Sequence, residues 1–111
     1  MDKLIFVHLF HILFVGSLFL YVGIMKTDIP QWFYPFLIFL GIFIFFYHSY
    51  KAFLKWSQGK SAWVNYIHIF LVAPLLIYIG YNKTETSRKY FEMLLMLGFA
   101  AIGYHAYYLF F

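Results

Sequence analysis

Histidine is the residue type in this chain best equipped for chemistry: five occur, at positions 8, 11, 48, 68 and 105, against four carboxylates and no cysteine. An imidazole titrates near neutrality, binds metals through either ring nitrogen, and marks function when it lies inside an apolar helix. The lack of cysteine excludes thiolate metal sites, iron–sulfur clusters and covalent haem attachment through C-x-x-C-H. Asp2, Asp28, Glu85 and Glu92 all lie near the ends of apolar stretches, which leaves no inward carboxylate for a di-iron centre. The few serines, Ser17 and Ser49 included, have no acid and base to complete a nucleophilic set.

Four of the histidines are related by an internal repeat. Shifting the chain by 57 residues aligns Phe6–Leu54 with Trp63–Phe111 without a gap, and 16 of the 49 pairs are identical. The matches include His11/His68, Gly23/Gly80, the Lys26-Thr27 and Lys83-Thr84 dipeptides, Gly41/Gly98, and the runs Tyr47-His48-x-Tyr50 and Tyr104-His105-x-Tyr107. Two unrelated apolar segments would share leucine and phenylalanine, but not both histidines and a Lys-Thr pair. The chain reads as a tandem duplication of a helical hairpin, residues 1–57 and 58–111, forming one structural domain. Both hairpins enter the membrane from the same side, so the copies are expected to be parallel repeats about a pseudo-twofold along the membrane normal.

At 100° per residue, Val7, His11, Val15 and Leu18 fall in one stripe, as do Leu37, Gly41 and His48. These stripes are read as inward faces, and positions that differ between copies, Phe10/Ile67 and Phe19/Leu76, as outward ones. With a rise of 1.5 Å per residue, His11 lies about 12 Å along its helix from Lys3 and His48 about 10 Å from Lys55. His11, His48, His68 and His105 are therefore expected to share one inward layer.

Such a layer suits a b-type haem, whose iron takes two axial imidazoles, and the symmetry-related pairs His11/His68 and His48/His105 are the candidate ligands. Gly41 and Gly98, with Gly16/Ala73, would leave room for a flat macrocycle, and Lys51 and Lys55 would meet its propionates. Tyr47, Tyr50, Tyr104 and Tyr107, with backbone carbonyls, are the expected hydrogen-bonding shell for the ligands. Electron transfer or haem/ligand binding, rather than catalysis, is the expected activity; as an enzyme the protein would be a haem-dependent redox protein. Three alternatives use the same residues. Four imidazoles could bind or pass a transition metal, zinc or copper. A His/Tyr ring, extended by His8 and its counterpart Asn65, could conduct protons. The histidines could also serve only as interhelical hydrogen bonds in a structural membrane protein, each worth about 0.6 kcal/mol.

The elements that must position these residues are apolar helices. The chain has 111 residues, 65% hydrophobic, 27% aromatic and 11% charged, with a mean hydropathy of +0.80. A soluble domain carries about a quarter charged residues, so this composition cannot cover a water-facing surface. Four stretches are long and apolar enough to span a bilayer: residues 4–25, 32–54, 62–81 and 90–111. The predicted fold is thus an all-α, four-helix transmembrane bundle, because open strands would leave unpaired backbone in lipid. The first stretch reads as a retained span, since it carries no small-x-small cleavage site. Thr84 and Ser87 are candidate N-caps for the last helix, and Pro74 is expected to bend the third.

Trp32, Trp56 and Trp63 flank the spans as an aromatic belt does. Lysine and arginine together divide evenly between the two ends, and the denser Lys51–Lys60 cluster favours both termini on the inner, cytoplasmic side. A net charge of +4 with no exposed face for a basic patch argues against nucleic acid as a partner. The expected partner is the lipid bilayer, and a homodimer is compatible with the apolar exterior; no residue pattern names a substrate or a redox partner.

The stretches WVNYIHIFLVAPLLIYIGY (63–81) and FEMLLMLGFAAIGYHAYYLF (91–110), rich in Phe, Tyr and Ile, resemble small membrane proteins encoded by large algal DNA viruses. The resemblance covers mostly the second half and rests on texture rather than a motif. It implies a viral or host membrane and no particular activity.

Overall fold

The computed structural model describes residues 3–111; Asp2, expected at a span end, lies outside them. The described residues form four helices long and apolar enough to cross a membrane, and no strands: α1 (Lys3–Asp28), α2 (Phe33–Ser57), α3 (Trp63–Glu85) and α4 (Arg88–Phe110). Their lengths of 26, 25, 23 and 23 residues exceed the roughly 20 that a bilayer core requires. Trp32, Trp56 and Trp63 are exposed near helix ends, where amphipathic rings suit a headgroup region.

Local chemistry sets the boundaries. Pro35 falls in the first turn of α2, where a missing N–H costs nothing. After Ser57 the chain turns through Gly59 at φ +69°, and Lys60 N–H donates to the Lys55 carbonyl at 2.7 Å, closing the end of α2 as glycine-based C-caps do. Ser87 stands at the N-cap of α4 in extended conformation but makes no side-chain cap bond. Thr84 lies in the 3-10 turn Lys83–Glu85, so neither expected cap side chain closes that helix.

The helices pair into two compact units, α1 with α4 and α2 with α3. Each unit thus takes one helix from each half of the chain. In the first, α1 and α4 run antiparallel: a Cβ on Gly23 would lie 2.7–2.9 Å from the Cβ, Cα and N of Leu95, and one on Gly98 would lie 3.1 Å from Phe19 and Leu20 side-chain carbons. In the second, also antiparallel, a Cβ on Gly80 would meet the Tyr34 carbonyl oxygen at 2.6 Å, and one on Gly41 would meet the Ala73 carbonyl oxygen at 2.9 Å. Lipid tails are as apolar as leucine, so helices associate in a membrane through close packing, and small residues are what let backbones approach.

The buried set corrects the expected inward stripe. On α1, Val7, His11, Val15 and Leu18 are only partly buried, whereas His8, Gly16, Phe19, Val22 and Gly23 are buried. Phe19 and Leu76, read as outward, are both buried; Phe10 and Ile67 are exposed as expected. The buried face of α1 already runs through His8, ahead of the π turn, and at 100° per residue Phe19 lies about 20° from His8, so the true stripe is one residue on from the projected one. Residues His11–Gly16 of α1 and His68–Val72 of α3 are π-helical. Pro74 is the second residue of the α-helical stretch that follows the second π turn. The first π turn forms with Ser17 at the matching position, so such a turn does not require proline.

Candidate functional site

In the α1/α4 unit, His11 opens the π turn and its Nδ1 lies 2.8 Å from the Val7 carbonyl oxygen. A carbonyl only accepts, so Nδ1 carries the proton, and in the neutral ring Nε2 carries the lone pair. His11 stacks on His105 with centroids 4.2 Å apart and planes 23° apart. His105 Nδ1 lies 2.9 Å from His8 Nδ1, so one of these buried rings donates and the other accepts. Tyr108 stacks on His8, and Tyr104 presents its ring edge-on to His105.

In the α2/α3 unit, His68 opens the other π turn and donates from Nδ1 to the Val64 carbonyl, also at 2.8 Å. His68 stacks on His48 with centroids 3.9 Å apart and planes 10° apart. Asn65 Nδ2 lies 2.8 Å from His48 Nδ1, and Lys55 Nζ donates to Asn65 Oδ1 at 2.7 Å. Asn65 is buried. A buried amide of this kind is costly unless both its ends are bonded, and here both are.

The structure therefore brings His11 to His105 and His48 to His68. Neither contact joins histidines 57 residues apart: each couples a π-turn histidine with one from an unbroken helix. Among the described residues no group of three or more His, Cys, Asp or Glu is arranged to hold a metal ion, so the four-imidazole zinc or copper arrangement has no ligand set here.

The surrounding expectations are redistributed. The space beside Gly41 and Gly98 is taken by the facing helix, so these glycines serve helix approach rather than room for a macrocycle. Lys55 binds Asn65 rather than standing ready for a propionate, and Lys51 is partly buried on α2. Tyr47, Tyr50 and Tyr107 are exposed, and Tyr47 meets His48 edge-on rather than through its hydroxyl. The hydrogen bonds described above instead come from the Val7 and Val64 carbonyls, His8 and Asn65. The signal for the last two was present: positions 8 and 65 are polar in both copies, although their spacing suggested a proton path rather than partners for the neighbouring rings.

Compared with protein-family models, curated proteins and solved structures, the chain matches none.

Proposed function

We propose that this is a multi-pass membrane protein that binds b-type haem through histidine Nε2, each compact unit using its own π-turn histidine, His11 in one and His68 in the other. One observation carries the reading. Each of these imidazoles donates Nδ1–H to a carbonyl of its own helix at 2.8 Å, the tautomer and second hydrogen bond that metal-ligating histidines use. Each also opens a π turn, a distortion that recurs at functional sites. Bound haem would supply one-electron or ligand-binding chemistry at its iron. The chain's own residues set the tautomer through the Val7 and Val64 carbonyls and hold each ring against a second imidazole, His105 or His48.

The proposal includes a duplication origin, supported by matched features 57 residues apart: both π turns, both carbonyl-bound histidines, and both lysines at positive φ, Lys26 and Lys83. With four spans across the bilayer both termini would lie on one side, the inner one by the Lys51–Lys60 cluster, and the textural resemblance suggests a viral or host membrane.

The test is an absorption spectrum of the full chain purified in detergent after haem-supplemented expression. The expected result is a Soret band that His11→Ala/His68→Ala abolishes and His48→Ala retains. No band in the native protein, or equal retention in the His11/His68 and His48/His105 double variants, overturns the assignment. A second reading, proton transfer between imidazoles, is favoured by the 2.9 Å contact of His8 with His105. Proton flux into vesicles that His8→Leu abolishes would support it. Neither a Soret band nor flux would leave the imidazoles as hydrogen bonds between helices.

A further inference from the structure

The α2/α3 unit holds a polar chain that haem ligation by His68 does not use: Lys55 Nζ to Asn65 Oδ1 at 2.7 Å, then Asn65 Nδ2 to His48 Nδ1 at 2.8 Å. The proton positions along it follow from donor and acceptor types alone. An ammonium has three donors and no acceptor, so the atom of Asn65 that faces Lys55 is its oxygen. The amide is thereby oriented, and the group facing His48 is its NH2, which only donates. His48 Nδ1 must then accept, and the proton of the neutral ring sits on Nε2. Its stacking partner His68 has the opposite tautomer, because Nδ1–H is committed to the Val64 carbonyl. Two parallel imidazoles 3.9 Å apart thus differ in which nitrogen carries the proton.

We infer that Lys55 and Asn65 are positioning residues that select the ligand: they hold His48 as an Nε2–H donor and so reserve metal ligation in this unit for His68. The ligand class is an iron or other imidazole-binding metal centre at His68 Nε2, with His48 Nε2–H as a hydrogen-bond donor. The ligation half of this inference rests on the haem reading; the tautomer half does not. The α1/α4 unit lacks the device. Its position 8 is histidine, which both donates and accepts, where the α2/α3 unit has Asn65.

Asn65→Asp inverts the lock while keeping its shape. A carboxylate only accepts, retains Lys55 as an ion-pair partner, and requires His48 to donate from Nδ1, which moves the lone pair to Nε2. Nitrogen-15 NMR of histidine-labelled full chain in lipid, without added haem, reads this directly, with His48→Ala identifying the His48 signals. The expected native spectrum has an unprotonated Nδ1 and protonated Nε2 for His48, and the reverse for His68. Asn65→Asp is expected to exchange the two His48 nitrogens, and Lys55→Met to give a mixture as the amide becomes able to turn over. An Nδ1-protonated His48 in the native chain, or no exchange in Asn65→Asp, overturns the lock.

Ligand selection is read separately. His68→Ala loses its share of the Soret absorbance, His68→Ala/Asn65→Asp regains it through His48, and His68→Ala/Asn65→Leu does not. Failure of the aspartate to rescue, in a chain whose native form binds haem, overturns selection. Absence of haem binding by the native chain counts against the proposed function and leaves the tautomer result standing.

Discussion

His11 and His68 each donate Nδ1–H to the carbonyl of the residue four positions back, at 2.8 Å, and that bond assigns the lone pair to the other nitrogen. The same reasoning applies to backbone angles at Lys26 and Lys83, with φ of 55° and 52° and ψ of −123° and −127°. These are the dihedrals of the first central residue of a type II′ turn, which glycine occupies without steric cost. A side chain held there costs about 1–3 kcal/mol. Lys26→Gly and Lys83→Gly are therefore each expected to stabilise the fold by about 1 kcal/mol, after the smaller loss of a cation near a helix C-terminus. A higher unfolding midpoint in detergent checks this. A lower one would mean that the lysine side chains contribute more than the strain they impose.

At the scale of the helix, glycines divide into those that a neighbour covers and those that nothing covers. Gly80 packs against the Tyr34 carbonyl so closely that a Cβ would fall 2.6 Å from its oxygen. Gly80→Ala must push α2 and α3 apart, and the expected cost is about 1–3 kcal/mol, as for other overpacked sites. Gly103 has nothing within 4 Å of where its Cβ would lie. Gly103→Ala should instead stabilise α4 by about 1 kcal/mol through helix propensity alone. Thermal unfolding of the two single variants should move in opposite directions. The same shift for both would remove close α2–α3 packing as the role of Gly80.

Across the whole chain, the four apolar helices leave large side chains exposed along their length, Phe39, Phe43, Phe46, Phe70 and Phe99 among them. Such a surface has no counterpart in soluble monomers and is satisfied by lipid tails. The protein is expected to remain with the membrane pellet after alkaline carbonate washing and to leave it only in detergent. Release by alkali alone would refute a spanning arrangement. Tight packing joins α1 to α4 and α2 to α3, so each compact unit depends on both halves of the chain. Expressing residues 1–57 alone should accordingly give no stable, packed helix pair.

The sequence by itself determined the helical class, the number of apolar spans and the histidines as the chemically able residues, because each depends on local composition and on lengths of about 20 residues. The 57-residue correspondence was equally plain in the order of residue types. Which residues face inward was only partly legible: Leu37 and Gly41 on α2 are buried as projected, but Phe19 and Leu76, which differ between the matched segments, are both apolar and both packed inward, so difference did not mark the outward face. The partner of each helix was not legible, since apolar stripes of similar composition carry little information about what they pack against. It took the tertiary structure to put His105 on His11 and His68 on His48, to fill the space beside Gly41 and Gly98, and to bring Lys55 to Asn65. Hydrogen-bond direction, and with it each assigned tautomer, depends on atoms brought together from different turns and helices, and spacing along a single chain does not specify that.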